Sequence, residues 1–413
     1  MSKGLPSPRA WADVPREQVE NLIAESRRIG WRAALDDAAL AAPFFGARLR
    51  NLGLANWHML LACAPSGAAL DVGCGFGTLP LGLSDHFSTA VGAEMLPERL
   101  RYASLRARQE PWPNAHFVRS HGARLPFATG TFDLVTMNGV LEWAALYSDG
   151  EPRSLQVDML KEMRRVTARN GVAAVAIENR YALETLLALA DTHTGLHFVT
   201  AMPRPVADLV SRLRAREPYR VFLYARREYR TLFMDAGFTD VAVLDLVSSY
   251  NDYDFIVRPD DASTYRLLWG RGLVRSFYGP AGRVRKVLAS WSPGLLGQLS
   301  YAYLVFGGES ATNLLDEGHP FWSEAAAWGA EPGQARFASP GMHPGRIVVV
   351  THDGDRALSL IELGCGLDPA VREPSILPAS LAKELMPSAR VAGAGTFNGI
   401  GCRVYRPAGS GVS

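Results

Sequence analysis

The 413-residue sequence is poor in cysteine, has almost no net charge and contains no long apolar run. Its four cysteines (Cys63, Cys74, Cys365 and Cys402) form no CxxC pair, so the sequence predicts neither a zinc site nor a disulfide framework. The formal net charge of +2 gives no bias toward nucleic acid or a membrane surface. No apolar run is long enough to span a bilayer, and the N-terminus carries no apolar signal core. We therefore expect a cytoplasmic protein that binds neither nucleic acid nor membrane.

The length and composition are typical of a globular protein with more than one domain. Hydrophobic residues make up 48% of the chain and charged residues 20%, and 413 residues suffice for two or three domains. We expect an N-terminal helical segment at 1–62, a core domain at 63–258 with an insertion at 179–228, and an α+β accessory region at 259–413. The first part of that region, 262–306, is predicted to be helical. The region is interpreted as a structural or oligomerisation module, with a lid as the alternative, which leaves a homodimer open.

Strand-like and helix-like segments alternate between residues 68 and 178. The predicted strands are 68–72, 90–94, 115–119, 132–137 and 172–177, and the predicted helices are 78–85, 97–109, 139–145 and 155–168. This alternation predicts an α/β fold, a parallel sheet with helices on both faces. A helix at 227–236 and strands at 241–247 and 254–257 follow, with 254–257 as the candidate last strand of the sheet.

A glycine turn follows the first predicted strand. The run Asp71-Val72-Gly73-Cys74-Gly75-Phe76-Gly77 sets three glycines in a GxGxG pattern behind an aspartate. Glycines there let the backbone approach a ligand closely, and the next helix offers free N–H groups. Cys74 is interpreted as a small residue that fills the turn.

The turn resembles motif I of class I S-adenosylmethionine (SAM) methyltransferases. The segment Leu125-Pro126-Phe127, followed by Phe132-Asp133-Leu134-Val135, resembles a second segment of the same enzymes. The resemblance covers about residues 50–178 and, more loosely, 227–257. It implies a Rossmann-like fold with SAM as the cofactor.

Binding of SAM requires a carboxylate for the ribose hydroxyls and an apolar slot for adenine. Glu94 ends the second strand at the spacing expected for ribose recognition, and Met95 follows it. The turn at His121 and Gly122 stands where the family commonly has an aspartate for the adenine amine. This departure assigns the adenine contact to backbone groups or to His121. Asn138 ends the fourth strand and is expected to face the methionine part of SAM.

Candidate acceptor-binding residues follow the fourth and fifth strands, because ligands of this fold lie beyond the carboxyl ends of strands. The candidates are Glu142, Trp143, Glu178, Asn179, Arg180, His197, Tyr250 and Tyr253. For Trp143 a role as a helix core anchor is an equal alternative, and for Glu142 an exposed helix position. The arginines between Arg204 and Arg230 are interpreted as a solvated helical face or as ligands of a phosphate group.

A base is expected because a hydroxyl acceptor must lose its proton. His193 is the candidate catalytic base, and Asp191 is the carboxylate that orients it. The alternatives are a structural histidine and an aspartate that caps a turn. No metal-ligating spacing is visible in the sequence, so we predict no metal site.

The stretch from Glu178 to Arg204 resembles a segment of bacterial methyltransferases associated with glycan and secondary-metabolite genes. The resemblance implies that the insertion shapes the acceptor pocket. We therefore expect methyl transfer from SAM to a small-molecule acceptor, a hydroxyl of a sugar or secondary metabolite. N- or C-methylation of a natural product and a non-catalytic SAM-fold partner are the alternatives. A nucleic-acid methyltransferase is disfavoured by the weak net charge and by the absence of an NPPY-type signature.

Overall fold

The computed structural model describes most of the chain up to residue 309 and the strands beyond it. The described residues are 14–37, 43–61, 67–110, 112–146, 148–187, 189–247, 249–251, 253, 255–257, 262–270, 279–309, 335–338, 346–353, 356–364, 389–397 and 400–407. Within these ranges no helix is both long and apolar enough to cross a membrane.

Helices and strands alternate through the first half of the chain, and strands dominate its end. The helices are α1 (Arg16–Ile29), α2 (Trp31–Ala34), α3 (Pro43–Arg50), α4 (Thr78–Leu83), α5 (Pro97–Gln109), α6 (Pro152–Val166), α7 (Leu183–Leu186), α8 (Arg204–Arg214), α9 (Arg226–Asp235), α10 (Ala262–Gly270), α11 (Gly279–Trp291) and α12 (Pro293–Gln298). The strands are β1 (Ala68–Val72), β2 (Thr89–Glu94), β3 (Ala115–Arg119), β4 (Phe132–Asn138), β5 (Thr167–Glu178), β6 (Asp240–Val247), β7 (Phe255–Val257), β8 (Ala302–Gly308), β9 (Ala335–Ala338), β10 (Arg346–Asp353), β11 (Arg356–Gly364), β12 (Ala389–Phe397) and β13 (Ile400–Pro407).

The strands form one mixed sheet in the order β12-β13-β11-β10-β9-β7-β6-β8-β5-β4-β1-β2-β3. Strands β3, β2, β1, β4 and β5 are parallel neighbours, and those after β8 pair antiparallel. This confirms the predicted α/β, Rossmann-like sheet and its appended region with further strands. The parallel order brings the carboxyl ends of β1, β2, β4 and β5 to one edge, where a ligand cleft is expected.

Helices cover both faces of the sheet, because alternate strand residues point to opposite sides. Ala69 and Leu134 pack in one core with Trp57 and Leu79. Their neighbours Leu70 and Val135 pack in the other core, against α6 and α9. The N-terminal helices form a third cluster with α5, in which Trp31 is fully buried.

Strand β8 corrects the prediction that 262–306 is helical throughout. It lies between β5 and β6 and pairs antiparallel with both, so Val305 is opposite Val175 on one side and Val243 on the other. The prediction was wrong because the apolar run before Phe306 contains both α12 and this strand. A strand buried on both faces has no polar alternation to distinguish it from a buried helix. Strand β7 pairs outside β6 and is not the last strand of the sheet.

Two predicted helical segments are 3-10 rather than α-helical. The part of the predicted helical segment 1–62 that directly precedes β1 is a 3-10 helix over Leu52–Leu60. The segment predicted at 139–145 is a single 3-10 turn, Leu141–Trp143, preceded by Gly139 at φ +64°. The short turn leaves Glu142 close to the end of β4, where it takes part in the site.

Candidate active site

A pocket lies at the carboxyl ends of β1, β2 and β4. It is lined by Arg48, Leu54, Asp71, Val72, Gly73, Cys74, Gly75, Phe76, Thr78, Leu79, Glu94, Met95, Leu96, Arg99, Ser120, His121, Gly122, Asn138, Gly139, Val140, Trp143, Ala144 and Met159. Most of the residues predicted to bind a cofactor are therefore brought together around one space. Their roles in binding stay predictions.

The glycine turn forms one wall of this pocket, and its three glycines meet different demands. All three have positive φ. A Cβ on Gly73 or Gly77 would collide with Val140 or Ala103 at 2.7 Å, whereas a Cβ on Gly75 would meet nothing within 4 Å. The turn is anchored because the N–H groups of Gly73 and Cys74 donate to the carbonyl of Ala93. Gly75 thus borders open space that a side chain would fill.

Glu94 fastens this turn to the loop after β2. Its Oε2 accepts a hydrogen bond from the Gly75 N–H at 3.0 Å, and its Oε1 accepts from the N–H groups of Met95 and Leu96 at 2.8 and 2.9 Å. A carboxylate offers about four lone-pair positions, so Oε2 keeps one for a further donor. A ribose hydroxyl is a donor of that kind, which fits the prediction for Glu94.

Asp71 is buried at the base of the pocket. Its Oδ1 accepts a hydrogen bond from the Thr136 hydroxyl at 2.7 Å. Burial raises the pKa of Asp71 to about 7, the bond from Thr136 opposes this rise, and the charge of Glu94 adds to it. A cationic ligand would favour ionised Asp71, since it compensates the negative charge.

The side of the pocket predicted for adenine is formed by Met95, His121 and Gly122. The Nδ1 of His121 accepts a hydrogen bond from the Ala123 N–H at 3.2 Å, and its Nε2 lies 3.5 Å from the Ser148 hydroxyl. His121 thus lines the part of the pocket that is predicted to bind adenine.

Several lining residues were missed from the sequence. Arg48 and Leu54 come from the N-terminal segment, and no local pattern connects them with the glycine turn. Arg99 and Ser120 follow β2 and β3, and their position after strand ends was a signal that could have found them.

A second group of polar residues, the acceptor cluster, consists of Glu142, Glu178, Asp191 and His193. His193 Nδ1 lies 3.0 Å from Asp191 Oδ1, and His193 Nε2 lies 3.7 Å from Glu142 Oε1 and from Glu178 Oε1. All four residues are buried. The predicted pair of His193 and Asp191 is thus in contact, and two further carboxylates face the other ring nitrogen.

Electrostatic interactions shift the pKa values in this cluster. Burial raises the pKa of Glu178 to about 7, although His193 opposes this. Burial would lower the pKa of His193, but Glu178 and Asp191 outweigh it and raise that pKa well above the usual value. Burial would raise the pKa of Asp191, but His193 and the bonds from Thr194 lower it.

The acceptor cluster lies directly behind the wall of the cofactor pocket. Trp143 lines the pocket, and its ring packs on the ring of His193 with centroids 4.9 Å apart. Arg48 also lines the pocket and interacts electrostatically with Tyr250, Glu178 and Glu142. Tyr250 is buried and contacts Gly139 so closely that a Cβ there would meet its ring at 2.6 Å.

Four other predicted residues lie outside this cluster. Asn179 donates to the carbonyls of Gln298 and Ser300, and Arg180 donates to those of Thr200 and Met202. Tyr253 donates to the carbonyls of Gly53 and Leu54, and His197 is exposed. Asn179, Arg180 and Tyr253 thus hold backbone segments in place, and a role of any of the four in acceptor binding stays a prediction.

Several arginines of the insertion hold the chain around the cluster. Arg220 donates to the carbonyls of Ala145 and Ser148, and Arg204 lies over the ring of Phe222 at 4.1 Å. Arg226 pairs with the buried Asp245. The contacts of Arg220 dock the insertion on the loop that follows Trp143.

Comparisons with known proteins support the sequence resemblance. Residues 70–175 match the family model described as a methyltransferase domain. No protein among the curated proteins searched matches the chain. The matched region contains the glycine turn and Glu94, which are predicted to bind SAM.

Solved structures similar to this chain come from several organisms. A chain of the Haloferax volcanii complex that contains the Trm112 methyltransferase activator has 16% identity and a TM-score of 0.38, over 72% of this chain and 98% of that chain. The YcgJ protein of Bacillus subtilis has 18% identity and a TM-score of 0.35, over 62% and 97%. A SAM-dependent methyltransferase of Thermotoga maritima has 13% identity and a TM-score of 0.36, over 72% and 100%. Values this low carry no substrate or partner across to this chain.

Proposed function

We propose that this protein transfers the methyl group of SAM to a hydroxyl of a small polar molecule, a sugar or a secondary metabolite. The observation that carries the proposal is the acceptor cluster, where Glu142, Glu178 and the His193–Asp191 pair lie behind the wall of the cofactor pocket. An acceptor hydroxyl must lose its proton, so it needs a base and a group that orients the base beside the pocket of the methyl donor.

The residues of the pocket would bind and orient the cofactor. When bound, SAM supplies a methyl group activated by its sulfonium sulfur. Gly75 leaves room for the ligand, Glu94 offers a lone pair to a ribose hydroxyl, and Asp71 places negative charge at the base of the pocket. Holding donor and acceptor in line supplies much of the rate of such a transfer.

The acceptor cluster would then remove the proton of the acceptor hydroxyl. Asp191 orients His193 through Nδ1, which leaves Nε2 toward Glu142 and Glu178. In the absence of a bound cation, Nε2 would accept the proton in the neutral form of the ring, which is the minor form near neutral pH because Glu178 and Asp191 raise the pKa of His193. Trp143 packs on the ring and limits its rotation.

An amine acceptor is the second candidate. Neither carboxylate oxygen of Glu142 has a hydrogen-bond partner among the described residues. A protonated amine would supply both a charge and the missing donors. The intact glycine turn and Glu94 argue against the third reading, a partner protein without activity.

The test is a methyl-transfer assay with hydroxyl and amine acceptors, read as S-adenosylhomocysteine formed and as product mass. We expect transfer to a hydroxyl compound. His193→Ala should keep SAM affinity and lose turnover about 100-fold or more, as loss of a general base does. His116→Ala, an exposed histidine on β3, is the matched control and should keep full turnover. Full turnover in His193→Ala would remove His193 as the base, and product from amines alone would favour the second candidate.

A further inference from the structure

The acceptor cluster contains three groups that converge on one buried point. Glu142, Glu178 and His193 are 1%, 6% and 3% exposed, and one ligand atom of each lies within 4.8 Å of the others. His193 Nε2 is 3.7 Å from an oxygen of each glutamate, which is too long for a hydrogen bond. Two ligands that share a tetrahedral metal ion at about 2.1 Å are roughly 3.4 Å apart. The distances from His193 Nε2 to the two glutamate oxygens are therefore close to the distance between two ligands of one metal ion.

Three of the four glutamate oxygens at this point are not satisfied by the described residues. Both oxygens of Glu142 and the Oε2 of Glu178 are buried without a hydrogen-bond partner among the described residues. Buried polar atoms normally have partners, and a buried carboxylate without one is costly. Three unsatisfied oxygens on two carboxylates that flank one histidine nitrogen indicate a missing ligand.

Asp191 completes the arrangement from the other side of the ring. Its Oδ1 lies 3.0 Å from His193 Nδ1, and its Oδ2 accepts from the N–H and the hydroxyl of Thr194 at 2.8 and 2.6 Å. A histidine that binds a metal ion almost always donates its other N–H to a carboxylate, carbonyl or water. This contact leaves Nε2 as the ligand atom toward Glu142 and Glu178.

The charges near the cluster are also unbalanced without a cation. Glu142, Glu178 and Asp191 are three acidic groups, and Arg48 is the basic group that interacts with both glutamates. Acidic groups thus outnumber this basic group around the shared point, which favours a cation there.

We propose that Glu142, Glu178 and His193 bind one divalent cation of the Mn²⁺ or Zn²⁺ class, with Asp191 orienting His193. An imidazole nitrogen with carboxylate oxygens suits these ions, whereas Mg²⁺ and Ca²⁺ prefer oxygen ligands alone. The ion would lie behind Trp143, in the wall of the cofactor pocket.

The role of the ion, though not its binding, rests on the proposed function. The ion would occupy Nε2 and would itself lower the pKa of the acceptor hydroxyl. The acceptor oxygen then bonds to the methyl carbon as the carbon–sulfur bond breaks, and the sulfur keeps the electron pair. The hydroxyl proton leaves to solvent.

Ion binding is measured on the full chain after EDTA treatment and dialysis, by calorimetry with Mn²⁺, Zn²⁺ and Mg²⁺ and by thermal unfolding with each ion. We expect one site per chain for Mn²⁺ or Zn²⁺, binding to Mg²⁺ at least tenfold weaker, and a higher melting temperature with the tighter ions. Asp191→Asn should weaken binding about 10- to 100-fold, as the loss of a partner of a metal ligand does.

The matched variants are Glu142→Gln and Glu94→Gln, which each neutralise a buried carboxylate. Glu142→Gln should lose the site, and Glu94→Gln should keep it. Equal affinity in the two variants, or no binding and no change in melting temperature in the unaltered protein, would overturn the proposal. Binding of S-adenosylhomocysteine in EDTA tests the proposed function separately, because none of the three ligands lines the cofactor pocket.

Discussion

The cofactor pocket and the acceptor cluster both contain buried carboxylates, but Glu94 and Asp71 of the pocket are bonded to the protein whereas Glu142 of the cluster is not. Glu94 accepts three backbone hydrogen bonds, and Asp71 accepts one from Thr136. Glu142 accepts none from the described residues, although it is as deeply buried. Glu94 is thus held by backbone N–H groups, whereas Glu142 is the residue that we propose as a metal ligand.

The two sites also differ in how much their geometry depends on the rest of the chain. The pocket is shaped by a turn whose residues are neighbours in sequence, so its geometry is local. The cluster joins a 3-10 turn, the end of β5 and a loop of the insertion, and it depends on contacts such as those of Arg220 and Asn179. Changes in the pocket should therefore act on the cofactor alone, and changes in the cluster on acceptor chemistry.

Gly75→Val should have the largest effect on the pocket, a loss of S-adenosylhomocysteine affinity of at least about 100-fold. The new side chain fills the open space beside the turn, and a positive φ adds about 1–2 kcal/mol of backbone strain. Gly30→Val is the matched control, because Gly30 has positive φ and an open Cβ position but does not line the pocket. Calorimetry measures the affinity of both variants for S-adenosylhomocysteine. Equal affinities would show that the ligand does not lie against Gly75.

Neutralisation of the two buried glutamates, Glu94 and Glu142, should lower the free energy of unfolding by different amounts. Glu94→Gln places an amide against backbone N–H groups and should lower the free energy of unfolding by about 1–3 kcal/mol. Glu142→Gln removes an unsatisfied charge and should cost clearly less. Urea unfolding in EDTA measures both. A loss in Glu142→Gln as large as that in Glu94→Gln would erase the contrast between the two sites.

The affinity for SAM should fall at acidic pH through Asp71. Its pKa, raised by burial to about 7, means that the carboxyl is protonated below neutrality. A cationic ligand favours the ionised form, so affinity should rise from pH 6 to 8 by up to about tenfold per unit below that pKa. Calorimetry across this range is compared with Asp71→Asn, whose profile should be flat. A slope unchanged in the variant would assign the dependence to another group.

The parts of the fold that follow local patterns could be predicted from the sequence. The first five strands, the helix α5 and the glycine turn each occupy a continuous segment with its own periodicity or motif. Strand β8 could not be recognised, because it is apolar on both faces and its partners β5 and β6 are distant in sequence. Its place in the sheet is decided by tertiary pairing.

In the candidate site, too, some residues could be found from local sequence patterns and others only from tertiary packing. Glu94 was found from its spacing after Asp71, and His193 with Asp191 from their proximity in sequence. The convergence of Glu142 and Glu178 on His193 could not be predicted, because each was considered alone as a cleft residue. Their common point exists only after β4, β5 and the insertion have packed together. The prediction of no metal site rested on sequence spacing, which does not show this convergence.

Strand β8 has a consequence for synthesis of the chain on the ribosome. A nascent chain that has emerged only as far as Val257 contains β5 and β6 but lacks the strand that separates them. Both would expose unpaired edges, which are prone to pair wrongly. The central domain should therefore become resistant to protease only after Gly308 has left the exit tunnel, and a polypeptide ended at residue 258 should aggregate.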